Sequence, residues 1–276
     1  MAFSCVNVKN RGSDGMSVPN IETKAGRHVA LIMDGNGRCA TREDKPRLMG
    51  HMKGAAGVDP LVTYAPKAGI KFMTLYAFST ENWKRDRPEV DGLMTLFGQY
   101  INDKLPKFIS ENVRVRFIGD RTDGRLPMEL LYRMHDAEQQ TALNSGLQLT
   151  VAINYSHQAD VDQANRELWA DIKLGSVGPD DVNASRYLWA GFLPEVDLMV
   201  RTGCEGDGKN FRHSGFLVGH IGANTVCRAS DVLFPDYGPK DLAADLRAAK
   251  LGTYLNGAQR PEEVVKVLRV SNLVIL

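Results

Sequence analysis

Apolar positions along the chain follow two alternating rhythms. Short runs rich in β-branched and aromatic residues, His28–Met33, Phe72–Phe78, Val113–Ile118, Leu147–Tyr155 and Val196–Arg201, predict strands, with Asp231–Phe234 a weaker sixth. Stretches of helical period lie between them. Pro88 suits a first helical position, and Val90, Leu93, Met94, Phe97, Ile101 and Leu105 then recur on one face. The same form runs from Pro127 to Thr141, and Pro239 opens another with Leu242, Ala243 and Leu246. Lys53–Gly69 reads as a weaker, kinked helix, because Pro60 and Pro66 each remove a backbone donor.

Strands alternating with helices predict an α/β fold with one mainly parallel six-stranded sheet flanked by helices. No fixed-period repeat and no low-complexity linker divides Gly26 from Gly257, so a single domain is expected over residues 27–257. Residues 1–26 are polar and aperiodic and suggest a flexible leader; 258–276 form a C-terminal extension in which Pro261–Leu276 suggests a short amphipathic helix. The stripe Met94, Phe97 and Tyr100 is read as core rather than tunnel floor.

Bulk properties narrow the function classes. The 276 residues carry 34 basic and 33 acidic side chains, a net charge of +1, which gives no global field for nucleic acid. Any anion site must be local. Cys5, Cys39, Cys204 and Cys227 are widely separated and suggest neither a zinc cluster nor a disulfide framework, so a reducing, cytoplasmic setting is expected. The apolar runs are too short to span a bilayer, which leaves at most peripheral membrane contact.

The candidate chemistry begins at the end of the first strand, with Asp34-Gly-Asn-Gly-Arg38. Glycines let backbone N–H groups approach a phosphate closely, and Arg38 adds a forked, charge-assisted contact. A carboxylate beside a phosphate is repulsive unless a cation such as Mg²⁺ lies between them, so Asp34 points to a metal–diphosphate substrate. Taken alone, the motif also fits ordinary turn and cap chemistry. Arg47, His51 and Lys53 follow, then Ser79-Thr-Glu-Asn-Trp-Lys-Arg85 at the end of the second strand, then Arg201-Thr-Gly-Cys-Glu205 with Arg212-His-Ser214. Three strand ends thus supply arginines and small hydroxyls, enough for two diphosphates.

HVALIMDGNGR, KPRLMGH, TLYAFSTENWKR and VRVRFIGD, followed by LTVAINY, VDLMVRTG and LFPDY, together resemble the cis-prenyltransferase family, the family of undecaprenyl diphosphate synthases. The resemblance implies a homodimer with an apolar tunnel in each subunit and allylic and isoprenoid diphosphate substrates. It further implies Mg²⁺ at Asp34 and donor diphosphate at Gly35, Asn36, Gly37, Arg38, Arg47 and His51. Ser79, Asn82 and Arg85 would stand over the reacting carbons, with Asn82 an orienting group, and Arg201, Arg212 and Ser214 would hold the second diphosphate.

Four departures stand out. Cys39 replaces a usual tryptophan, Ser156-His157-Gln158 replaces Gly-Gly-Arg, and residues 206–211 lengthen a loop. Gly222–Cys227 carries no acid where a second Mg²⁺-binding glutamate is usual. Clustered change in the acceptor half suggests a changed second substrate and an irregular, lavandulyl-like short product. The alternatives are ordinary head-to-tail elongation with isopentenyl diphosphate, and a non-catalytic partner subunit, from which the retained DGNGR argues away.

Overall fold

The computed structural model describes residues 26–178, 182–204 and 211–249. Six parallel strands form one sheet: β1 (Arg27–Ile32), β2 (Ile70–Ser79), β3 (Arg114–Ile118), β4 (Gln148–Tyr155), β5 (Leu198–Arg201) and β6 (Val226–Ala229), in the order β3-β4-β2-β1-β5-β6. Helices α1 (Asn36–Thr41), α2 (Arg47–Tyr64), α3 (Arg87–Ser110), α4 (Met128–Gln140), α5 (His157–Lys173) and α6 (Pro239–Ala248) cover its faces.

β1 shows why the central strands read as unbroken apolar runs. Val29 and Leu31 pack into the core shared with α2, α3, α4 and α6, whereas Ala30 and Ile32 face a second core around Tyr155, Leu193 and Phe216. A parallel strand covered on both faces needs apolar side chains at every position. β1 and β2 pair in register from His28 opposite Phe72 to Ile32 opposite Tyr76. Against β4 the register slips after Tyr76 and recovers at Ser79. Bulges next to functional sites re-aim side chains, and Tyr76, Ala77 and Ser79 all face the cavity described below.

Two expectations need correction. The sixth strand is Val226–Ala229, not Asp231–Phe234. Val226–Ala229 is a short edge strand, half-buried at every position, so it lacks an apolar signature. Leu233 and Phe234 are buried through a turn closed by Pro235, which cannot donate to a ladder. The second correction is α2, which runs through Pro60 to Tyr64; Pro66 falls in the short 3₁₀ turn Ala65–Ala68 that follows. Burial of Val58, Leu61 and Val62 outweighs the missing donor.

Helix α5 escaped the pattern reading because its buried face carries Asp160 and Gln163 beside Ala164 and Leu168. In α3, Met94 is core, but Phe97 and Tyr100 line the cavity. Among the described residues, no helix is long and apolar enough to cross a membrane. Residues 1–25 and 250–276, including the proposed extension, lie outside the described residues, as do 206–210 of the lengthened loop.

Candidate active site

Starting from β1, the sheet grows through β2 and β4 to β3 on one side and through β5 to β6 on the other, so its order reverses between β1 and β5. Open α/β sheets bind ligands at the carboxyl ends of strands beside such a reversal. Ile32 pairs with Arg201 across that boundary. Buried Thr202 ties the two strand ends together, donating its hydroxyl to the Asp34 carbonyl at 2.8 Å. The Phe234 N–H donates to the same carbonyl at 3.0 Å.

This anchoring aims the Asp34 carboxylate at arginines from both sides. Oδ2 accepts from Arg201 Nη2 at 2.9 Å, while Oδ1 accepts the Gly35 N–H at 2.6 Å and lies 3.3 Å from Arg38 Nη2. Arg38 also donates to the Gly203 carbonyl at 2.5 Å. Arg201 Nη1 donates to Ser214 Oγ and to the Arg212 carbonyl, each at 2.8 Å. It is therefore the backbone of Arg212 that joins the network, and its side chain is exposed. Ser214 and Leu217 both hold positive φ, 48° each. Tyr76 secures this turn: its hydroxyl donates to the carbonyls of Ser214 at 3.3 Å and Tyr155 at 3.0 Å, and its ring stacks on Phe216 at 4.4 Å.

The DGNGR turn sits close to α2 because that helix offers no side chain at the contact. A Cβ at Gly50 would lie 1.9 Å from the Asn36 carbonyl oxygen, and one at Gly54 would lie 2.0 Å from Asn36 Oδ1. Gly35, with φ of 105°, packs against Leu233, where a Cβ would also collide. Arg47 rises from the first turn of α2 with its guanidinium against Gly37.

Arg47 also reaches Glu89 Oε2, at 3.2 Å, while Arg85 Nη1 donates to Oε1 at 3.1 Å. His51 Nε2 lies 3.5 Å from Oε1 without making a hydrogen bond. Burial, together with the Arg85 charge, pushes His51 down to about 4, so its ring is neutral at neutral pH. Burial pushes Glu89 upward, but the charges of Arg47 and Arg85 outweigh it and hold the carboxyl below its usual range.

Beyond β2, Asn82 folds back on Ser79: Asn82 Oδ1 accepts from the Ser79 N–H at 3.0 Å. That leaves the Asn82 amide nitrogen as the donor able to meet a substrate oxygen. Trp83 braces the turn, donating Nε1–H to Asn154 Oδ1 at 2.7 Å beneath the Arg125 guanidinium, 4.5 Å from the ring centre.

Asp34, Asn36, His51, Ser79, Asn82, Arg85, Arg201 and Ser214 line a single cavity of about 350 Å³. Its deeper wall is apolar, with Leu93, Phe97, Ile101, Phe108, Val115 and Leu149. Gly35, Gly37, Arg38 and Arg47 stand behind the polar mouth rather than in its wall, and Lys53 turns away to Asp236 at 2.6 Å. Sequence reasoning missed Tyr76, Glu89 and Asn154. The positive φ of Asn154, 54°, has no sequence signal, and Glu89 looks like an ordinary first-turn helix acid.

Of the four departures, Cys39 is buried in α1, and two others fall in separate places. Ser156 caps α5, and the His157 N–H donates to the Gly215 carbonyl at 2.9 Å with its ring against Gly219, so this segment packs on the Ser214 turn. Gly222–Cys227 instead leads into the amino end of β6, where Val226 stands opposite Leu198 and, one strand further, Val29. Asp34 lies five residues beyond Val29, roughly 16 Å along the sheet at about 3.3 Å per residue. Within one chain the acid-free segment therefore does not face Asp34.

Comparison with known proteins agrees with this geometry. Residues 32–250 match the family model described as putative undecaprenyl diphosphate synthase. An undecaprenyl-diphosphate synthase of Pasteurella multocida, described as (2E,6E)-farnesyl-diphosphate specific, is 40% identical over 218 residues, 78% of this chain and 88% of that protein. An isoprenyl transferase of Bacillus subtilis is 40% identical over 213 residues, 76% and 79% of the two chains. The crystal structure of lavandulyl diphosphate synthase from Lavandula x intermedia, in complex with dimethylallyl diphosphate, superposes with a TM-score of 0.74 at 27% identity, covering 82% of this chain and 95% of that one. With the DGNGR turn, the strand-end arginines and the apolar cavity in place, the chain belongs to the cis-prenyltransferase (undecaprenyl diphosphate synthase) family and is a prenyl-transferring enzyme.

Proposed function

We propose that the chain couples an allylic prenyl diphosphate donor to a second isoprenoid diphosphate, with Mg²⁺ held at Asp34. The observation that carries this reading is the Asp34 carboxylate, 2.9 Å from Arg201 at the polar mouth of an otherwise apolar cavity. The residues fit the cation. Among the described residues, no three His, Cys, Asp or Glu side chains gather into an all-protein cage. Mg²⁺ is commonly held by one or two carboxylates plus substrate phosphates, which Asp34 and a diphosphate supply. Asn36 Oδ1, two residues on, is buried without a hydrogen-bond partner. When bound, the cation draws charge from the leaving diphosphate.

The remaining work belongs to the protein. The Gly35–Arg38 turn with Arg47, His51 and Arg85 binds the donor diphosphate, and Arg201, Ser214 and the Arg212 turn bind the second one. The donor C–O bond breaks with its electron pair leaving on diphosphate. The acceptor π-bond then forms the new C–C bond, and a diphosphate oxygen takes the proton lost. Asn82 and Ser79 orient the reacting ends, and the apolar wall keeps water from the allylic cation. Fixed cations aimed at the departing charge are the main source of rate.

In this reading the second substrate is itself allylic and the product is short and branched, of lavandulyl type. Support comes from Ser156–Gln158, which packs on the Ser214 turn, and from a cavity near the small end of the roughly 300–1,000 Å³ range of small-molecule sites. The test is incubation with dimethylallyl and geranyl diphosphates and Mg²⁺, isopentenyl diphosphate omitted, with products read by mass spectrometry; coupled product is expected. The 40% identity to undecaprenyl-type synthases favours a second reading, head-to-tail elongation with isopentenyl diphosphate. Brisk linear elongation with isopentenyl diphosphate, and no coupling without it, would establish that second reading. Assembly as a homodimer is part of the proposal under either reading.

A further inference from the structure

Three basic side chains converge on one side of the cavity mouth from separate places: Arg47 and His51 on α2, and Arg85 after β2. Left to themselves, the two arginines would repel, and each has rotamer entropy to be lost on binding. One carboxylate answers both problems. Glu89 is only 14% exposed, and its two oxygens meet Arg47 Nε at 3.2 Å, Arg85 Nη1 at 3.1 Å and His51 Nε2 at 3.5 Å. A first-turn acid serves helix electrostatics from the surface without being buried among three bases. Its anchorage is rigid as well, because the next residues inward on α3, Val90, Leu93 and Met94, are core.

We propose that Glu89 is a positioning residue that gathers Arg47 and Arg85 beside His51 into a single diphosphate-binding face. This rests on the reading of that side of the mouth as the donor site. An arginine has five N–H donors, and Glu89 takes one hydrogen bond from each guanidinium, which orients the forks without consuming them. The rest of the Arg47 fork lies against Gly37, in the DGNGR turn itself. Glu89 thereby links α3 to the turn that carries Asp34, although it is 55 positions away in sequence.

The test uses geranyl S-thiolodiphosphate, a donor analogue whose C–S bond resists ionisation, with affinity measured by calorimetry on the full chain. Glu89→Gln keeps the shape and an acceptor oxygen but loses the charge, and is expected to bind about tenfold more weakly, as for loss of hydrogen bonds to charged groups. Glu89→Asp keeps the charge and should stay closer to wild type. In turnover assays of the same variants, KM for the second substrate and the melting temperature should hold steady. Unchanged or tighter analogue binding by Glu89→Gln would overturn the proposal, showing the carboxylate to be only an opposing charge. Equal weakening at both substrates with a lowered melting temperature would overturn it in favour of a structural role. If the wild-type chain itself fails to bind the analogue, the donor-site reading falls and the proposal falls with it.

Discussion

Replacing Asp34 by alanine separates the chemistry of the site from the stability of the fold. The side chain is 37% exposed and makes ion pairs with Arg201 at 2.9 Å and Arg38 at 3.3 Å. Exposed or half-exposed pairs contribute about 0–1 kcal/mol each. Its bond from the Gly35 N–H adds about 1 kcal/mol at most, since that donor gains solvent when the carboxylate goes. The sum, about 3 kcal/mol at most, lowers the melting temperature by no more than about ten degrees in a domain of this size. Arg201 keeps its bonds to Ser214 and the Arg212 carbonyl, so the Ser214 turn stays formed. Turnover should fare differently. The variant loses the one carboxylate that we assign to the cation, and removal of a transition-state electrostatic group costs about 10²–10³ in kcat. The assay follows product formation from dimethylallyl and geranyl diphosphates, with and without isopentenyl diphosphate, across a Mg²⁺ titration, alongside a thermal melt. Near-normal turnover with an ordinary melt would reduce Asp34 to turn chemistry and refute the site assignment.

Gly54→Ala places a methyl 2.0 Å from Asn36 Oδ1; the helix-propensity gain of roughly 1 kcal/mol should be outweighed by about 1–3 kcal/mol of overpacking, with activity falling as the DGNGR turn shifts. A stable, fully active variant would show that the turn does not depend on that contact. Asp123 is held down to about 2, first by its hydrogen bond from the Arg125 side chain and against the effect of burial. Its folded value is below the unfolded one near 3.9, so its stabilisation is complete above about pH 4 and lost as pH falls toward 2. Urea midpoints of wild type and Asp123→Asn should therefore differ at pH 7, with the gap narrowing below about pH 4 and closing only as pH falls through about 2; a pH-independent gap would contradict this. Light scattering at micromolar concentration is expected to give twice the chain mass, and a monomer would count against the homodimer.

The alternation of apolar runs and helical stripes was sufficient to set the α/β class and five of the six strands, because a parallel sheet covered on both faces demands apolar residues throughout. DGNGR and the arginine-bearing strand ends were legible for a related reason: glycines at a tight approach and charged groups after an apolar strand are local chemistry. Other features existed only once the chain had folded. β6 was hidden because an edge strand half-buried at every position has no pattern, and α5 because its buried face includes Asp160 and Gln163. Val226–Ala229 became a strand by pairing with β5, not by its own preference. Glu89 acquired its role from α2 and the β2–α3 turn meeting at α3, and Tyr76 from the Ser214 turn folding over β2. The sheet order alone brings Asp34 to Arg201 and keeps Gly222–Cys227 at the opposite end. Such placements depend on contacts between residues tens to more than a hundred positions apart, which local propensity and periodicity do not encode.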